Sequence, residues 1–308
     1  MIQKRLFTTI VVGFTLSVLL FTGCVDNSTK GNIGILVTIV PQKEMVEAIG
    51  GTYVSVSVMV PPGESPHSFE PTPEQMTKVA QAKAYFTVGS GVEFEITHLN
   101  TLTEQNPELE VFDCSMGITV LSFDQHYGQE NYQGETENGA NNSAEQGTDP
   151  HIWTSPLNFM KMAENVYVGL VQIDPEHEDA YLANYEQYID QLEQLHENIS
   201  SVLDPFSGRS FMVYHPAWGY FGDTYQLEQI AIEEDGQQPG PAGVAALIQQ
   251  AKDLNISVIF VSPQFDISNA QTIADEINGK VIAIDPLMSN YEETLLQLAN
   301  DMAQGFGD

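Results

Sequence analysis

The chain has 308 residues, 42% of them apolar, which is enough for two lobes with a core each. Its 42 acidic residues face 10 basic ones, a formal charge of −32, so nucleic acid and anionic headgroups are excluded as partners by repulsion. Of two cysteines, Cys24 closes the leader described next, which leaves Cys114 no partner for an internal disulfide, and the fold must stand on packing.

Lys4 and Arg5 precede an apolar run from Leu6 to Phe21, which ends in Phe21-Thr22-Gly23-Cys24. Residues 1–23 read as an export signal cut before Cys24, with Cys24 as the lipid-bearing first residue of the mature chain. The run of 16 residues is short of the about 20 needed to span a bilayer. Cleavage leaves 285 residues with 42 acids against 8 bases, a formal −34. The expected location is extracytoplasmic, anchored to the outer face of the cell membrane, with residues 24–31 as a polar tether. The acidic surface gathers cations and keeps the chain soluble, but alone it identifies no ligand.

From there strands and helices alternate. Ile33–Val40, Val54–Val60, Ala84–Val88 and Glu110–Asp113 read as short, buried, β-branched strands, with helices such as Gln42–Ile49 and Thr72–Ala82 between them. Thr72-Pro73-Glu74-Gln75 is a helix start, with a Thr cap, Pro in the first turn and Gln three residues after the cap. This is the βαβ rhythm of a parallel sheet covered by helices. It stops at Asp124–Asp149, a stretch with six acids, no base and few apolar residues, which predicts a disordered insert. A helix follows Ser155-Pro156 as far as about Val171. Glu176–Leu203 then carries Tyr181, Leu182, Tyr185, Tyr188, Ile189, Leu192, Leu195 and Ile199 at helical spacing. At 1.5 Å per residue that helix runs roughly 35–40 Å, long enough to join two lobes as a stiff spine. Beyond it Ser210–Tyr214, Gln229–Ile232, Ser257–Val261 and Lys280–Ile284 read as strands, and Pro241–Leu254, Asn269–Asn278 and Tyr291–Ala303 as helices. The expected architecture is α/β: an N-terminal lobe (32–175), a linking helix (176–203) and a C-terminal lobe (204–308).

Of seven histidines, His98, His177 and His196 sit in helical segments among polar neighbours and read as solvated surface, while His126 falls in the insert. The other three sit differently. His67 follows a strand through the tight "PPGESPH" loop, His215 comes directly after "SFMVY", and His151 lies in a Pro-rich loop before a helix. Asp285 directly follows the strand "KVIAI". Ligands of open α/β sheets bind beyond the carboxyl ends of strands, which is where three of these four residues lie. Two of the four precede the long helix and two follow it. Three neutral imidazoles and one carboxylate make a closed tetrahedral zinc site, whereas manganese prefers oxygen-rich, higher-coordinate ones. Pro66, Pro150, Pro216 and Pro286 flank the four and stiffen their loops.

At these residues the chain resembles the solute-binding proteins of zinc and manganese ABC transporters, the ZnuA/TroA-like lipoproteins. The segments that carry the resemblance are "SPHSFEPTPEQM", "DPHIWTSP", "YHPAWGYF" and "IDPLMSNYEETL", in the family's order and with its spacing. The resemblance implies that His67, His151, His215 and Asp285 are the metal ligands, between two lobes bridged by one long helix. Zinc members have a third His where manganese members have a Glu, and this chain has His215. The His-rich loop of many zinc members is here an acidic insert with His126 alone. The implied role is a monomeric, lipid-anchored receptor that delivers Zn²⁺ to an ABC-transporter permease with its cytoplasmic ATPase and catalyses no reaction. A single helix between lobes limits closure, so metal release is expected through a small rotation or loop rearrangement. The alternatives are Mn²⁺ or Fe²⁺ in the same role, a zinc hydrolase with Glu64 or Glu70 as base, and a surface adhesin. The hydrolase lacks the support of an HExxH helix or a Gly-x-Ser-x-Gly elbow.

Overall fold

The computed structural model describes residues 32–122, 147–233 and 236–307. The leader, Cys24, the tether and most of the acidic insert, His126 included, lie outside the described residues. No helix among the described residues is long and apolar enough to cross a membrane.

Two four-stranded parallel sheets carry the fold. In the first, β1 (Ile33–Val37), β2 (Val54–Val58), β3 (Ala84–Thr87) and β4 (Glu110–Asp113) stand in the order β2-β1-β3-β4. In the second, β5 (Ser210–Val213), β6 (Glu228–Ala231), β7 (Val258–Val261) and β8 (Lys280–Ala283) repeat that order as β6-β5-β7-β8. β3, β5 and β7 are buried at every position, as their aromatic and β-branched sequences require of strands covered on both faces. In each lobe the chain leaves a central strand to one side and returns on the other. The loops therefore part beyond the carboxyl ends of β1 and β3, and of β5 and β7, which opens the crevices where such sheets take ligands.

In the first lobe the helices are α1 (Val40–Gly50), α2 (Pro73–Val79) and α3 (Glu93–Gln105). Thr72 caps α2 as expected: its Oγ1 accepts from Gln75 N at 3.3 Å, and Thr72 N donates back to Gln75 Oε1 at 2.9 Å. α4 (Pro156–Ile173) starts at Ser155, whose hydroxyl accepts from Asn158 N. Gly169 lets α4 lie close against the sheet, since a Cβ there would stand 2.5 Å from the Phe86 ring. α5 (Glu178–Leu203) is the expected spine and follows one 3₁₀ turn at Pro175–His177. Its 26 residues extend about 39 Å at 1.5 Å each. Tyr181, Tyr188, Leu192, Leu195, Ile199 and Leu203 form its buried stripe, while Leu182, expected on the apolar face, is turned partly to solvent. The second lobe adds α6 (Gly219–Thr224), α7 (Pro241–Asp253), α8 (Ser268–Ile277) and α9 (Tyr291–Gly307).

The spine packs on α1 and α4 of one lobe and on α9 of the other. A single apolar cluster consequently runs from Val37 and Phe86 through Leu192, Leu195 and Ile199 to Phe260, Leu295 and Leu298. A second cluster, with Met212, Ile230, Ile259 and Ile273, belongs to the second lobe alone. Each fully buried leucine in the shared cluster contributes about 1.5–3 kcal/mol of transfer free energy, so separating the lobes would expose part of one core. Cys114, at the end of β4, is fully buried, and burial with the nearby Glu95 and Asp113 charges pushes its thiol far above the usual range.

Two sequence expectations need correction. The insert was expected to run through Asp149, but Thr148 bridges Ser122 and Asp149 is 3% exposed. The composition of the stretch hid an ordered end because Asp149 is buried by partners distant in sequence. The three histidines read as solvated surface are each held against an aromatic ring. His177 stacks on Tyr53 at 3.9 Å, His98 packs against Phe94 at 4.9 Å, and His196 meets Tyr225 at 5.6 Å.

Candidate metal centre

Each candidate side chain leaves the carboxyl end of a strand or the segment crossing between lobes. His67 sits in the loop after β2, which is pinned to α3 by Phe94 N donating to Pro66 O at 3.0 Å. His215 stands two residues past β5, and its ring stacks on Phe265, which follows β7, at 4.8 Å. His151 belongs to the segment Thr148–Pro156, which is bolted to both lobes. Ser90 Oγ donates to Pro150 O at 2.5 Å, and Trp153 Nε1 donates to Pro286 O at 2.7 Å. Tyr220 and Tyr291 donate from their hydroxyls to Asp149 O and Trp153 O at 2.8 and 2.7 Å.

These placements bring one ring nitrogen from each of His67, His151 and His215 within 4.8 Å of the others. The Nε2 atoms of His151 and His215 are 3.3 Å apart. A tetrahedron with zinc–nitrogen bonds of about 2.0–2.1 Å has edges of about 3.3–3.4 Å, so this pair already stands at ligand spacing. Each ring also has a carboxylate at Nδ1: Glu93 at 2.8 Å from His67, Asp149 at 2.8 Å from His151, and Glu233 in a short contact with His215. Burial pushes His215 down to about 4, helped by the neighbouring histidines and opposed by Glu233. Burial pushes Glu93 up, but its hydrogen bond to His67 and the charge there outweigh that, and its carboxyl ends below the usual range.

The fourth candidate stands apart from this cluster. Asp285 lies two residues past β8, and its Oδ1 accepts from Leu287 N at 2.8 Å and Gln264 Nε2 at 2.9 Å. Among the described residues, the group that closes to within 4.8 Å holds the three histidines without it. Trp153, Phe265, Pro66, Pro286 and Leu287 wall the cleft with apolar surface. The bases considered for a hydrolase do not line it: Glu64 is exposed, and Glu70 faces His98 at 3.6 Å.

The sequence reading missed Glu93, Asp149, Glu233 and Gln264. Glu93 follows β3, Glu233 follows β6 and Gln264 follows β7, so the strand-end rule that selected His215 and Asp285 would have found all three. Asp149 was within reach as the residue two before His151, where an Asp side chain commonly turns back on the backbone; its Oδ1 accepts His151 N at 2.9 Å.

Two parallel-sheet lobes on a shared helical spine, with imidazoles converging between them, define a two-lobed α/β protein with a histidine-lined cleft. The chain belongs to the family described as "Zinc-uptake complex component A periplasmic", whose family model matches residues 35–306. It is similar to the zinc-binding protein AdcA of Streptococcus pyogenes, with 25% identity over 86% of this chain and 52% of that protein. The manganese-binding lipoprotein MntA of Halalkalibacterium halodurans is 26% identical over 76% of this chain and 72% of its own length. A crystal structure of ZnuA superposes with a TM-score of 0.79 at 33% identity, covering 89% of this chain and 99% of the other. The chain thus spans about half the length of AdcA but nearly all of the ZnuA structure.

Proposed function

We propose that the chain is an extracytoplasmic receptor that takes Zn²⁺ as cargo and hands it to an ABC-transporter permease. The cluster of three imidazole nitrogens, two of them 3.3 Å apart, carries this reading. His67, His151 and His215 supply three ligands, and Asp285 supplies the fourth through the carboxylate oxygen that Gln264 and Leu287 leave free. An inner set rich in nitrogen favours zinc over manganese, which prefers oxygen donors. The relatives' names support a metal cargo, zinc for AdcA and manganese for MntA. The space between the lobes, about 290 Å³ including solvent, lies at the lower limit for organic ligands and suits an ion with its waters. Cys24 holds the monomeric receptor at the outer face of the membrane through its lipid.

Metal titration of the full-length protein in detergent tests this. One zinc per chain is expected, with zinc displacing manganese in competition. His215→Glu is expected to weaken zinc and narrow the gap to manganese, because it exchanges a nitrogen for a bidentate carboxylate. Zinc bound no more tightly than manganese by the wild type would overturn the choice of cargo.

A further inference from the structure

We infer that Glu93, Asp149 and Glu233 are positioning residues, one per imidazole, that fix the ring tautomer in which Nε2 can take the ion. The inference rests on the receptor reading above and extends it to residues outside the ligand set.

A neutral imidazole has one N–H and one lone pair, on different nitrogens. An ionised carboxylate only accepts hydrogen bonds, so a ring nitrogen facing one must carry the hydrogen. All three rings face a carboxylate through the same atom, Nδ1. With the hydrogen held outward on Nδ1, each ring turns its Nε2 lone pair to the ion, and the Nε2 atoms of His151 and His215, 3.3 Å apart, are spaced for a cation between them to offset the repulsion of two lone pairs. Three rings from three separate segments share this arrangement, so it is a property of the centre and not of one loop.

The three partners are held with different firmness. Glu233 is 4% exposed, and its backbone N donates to Tyr214 O at 3.0 Å, beside His215 in the chain. Asp149 is 3% exposed and comes close to the backbone of Gly219, where a Cβ would stand 2.7 Å from its Oδ2. Glu93 has a side chain 47% exposed and holds the most exposed of the three rings. Outer carboxylates of this kind orient a ligating imidazole and raise its basicity, and losing one typically costs 10–100-fold in metal affinity. They do so without adding oxygen to the inner set.

An amide in place of the carboxylate keeps the shape but offers N–H as well as C=O. A ring facing the amide N–H places its own hydrogen on Nε2, where it points at the ion and blocks it. Glu233→Gln and Asp149→Asn are each expected to lower zinc affinity roughly 10–100-fold, and Glu93→Gln roughly three- to tenfold. Long-range proton–nitrogen spectra of ¹⁵N-histidine protein, full-length, in detergent and free of metal, supply the signature that a purely structural role would not move. Wild type is expected to show the Nδ1–H form at all three rings, and each variant the Nε2–H form at its own ring. Glu93→Gln, at a half-exposed position, keeps the test open if a buried variant fails to fold. Variants that bind zinc within twofold of wild type, or rings that keep Nδ1–H, overturn the inference. A wild type that binds no zinc overturns the receptor reading itself, and this inference with it.

Discussion

The loop that carries His67 and the segment that carries His151 reach the same point by opposite means. The first is held by short-range bonds and one lobe: Ser68 N and Phe69 N donate to Ser65 O, His67 N to Ser65 Oγ, and Phe94 N to Pro66 O. Its histidine side chain is 29% exposed. The second is buried from Asp149 to Pro156 and bonded across the lobes through Tyr220, Tyr291, Pro286 and the Ser155–Thr224 hydroxyl pair. His151 and His215 therefore form a fixed pair, and His67 is the proposed ligand that moves at least cost. With the two lobes sharing one core along α5, a loop rearrangement is the cheaper way to open the centre than lobe separation.

The strongest way to break this comparison is to remove each ligand in turn. His151→Ala or His215→Ala is expected to lower zinc affinity about a thousandfold, some ~4 kcal/mol, because each destroys the preset pair. His67→Ala is expected to cost about tenfold less, since the fixed pair and Asp285 remain. Calorimetric titration reads both, and equal losses at all three positions would remove the asymmetry.

Acid sharpens the buried side of the comparison. Burial holds folded His215 near 4, against an unfolded value of 6.5. Between those values the folded state binds fewer protons than the unfolded one. The contribution of His215 is therefore complete above pH 6.5 and is lost as pH falls towards 4, a difference of about 3 kcal/mol. Denaturant unfolding of metal-free protein should show this decline in wild type and a shallower one in His215→Ala. Parallel declines in the two would contradict the assignment.

The smallest effect concerns the bolts. Trp153→Phe keeps the packing but leaves Pro286 O without its donor, at an expected cost of about 1–3 kcal/mol. Ser65→Ala in the His67 loop should change stability by less than about 0.5 kcal/mol, because half-buried Ser65 gives up one long side-chain hydrogen bond, from His67 N at 3.3 Å. Thermal unfolding of the two variants compares them directly, and a similar shift in both would mean that the loop is as firmly built as the segment.

What the sequence made legible follows from where the physical signal is local. The βαβ alternation, the Thr72 capping box and the long stripe of α5 are patterns within a dozen or so residues, and all three appear in the structure. His67 and His215 were legible because strand ends in parallel sheets face ligands, and His151 because it stands in a Pro-rich loop before a helix. Their carboxylate partners were overlooked although Glu93 and Glu233 also follow strands and Asp149 stands two residues before His151, because the reading looked for ligands and not for what holds them. Asp149 was assigned to the insert for its polar neighbours, although it is buried by Gly219 and hydrogen-bonded within the Asp149–His151 turn. Leu182 was placed on the buried stripe because periodicity counts residues and not the width of the groove they enter. The position of Asp285, outside the imidazole cluster, depends on Gln264 and Leu287 and had no sequence pattern to betray it.

The burial of Cys114 has a practical consequence for watching this molecule move. A thiol reacts with maleimide as thiolate, and a fully buried one whose ionisation is suppressed stays silent. Cys24, once lipidated, carries no free thiol either. Cysteines introduced at exposed Ser68, on the His67 loop, and at exposed Gln271, on α8, would therefore accept a fluorescent donor and acceptor with little background. Energy transfer between those dyes would report the travel of the loop as an ion arrives or leaves, in a chain that needs no native cysteine removed.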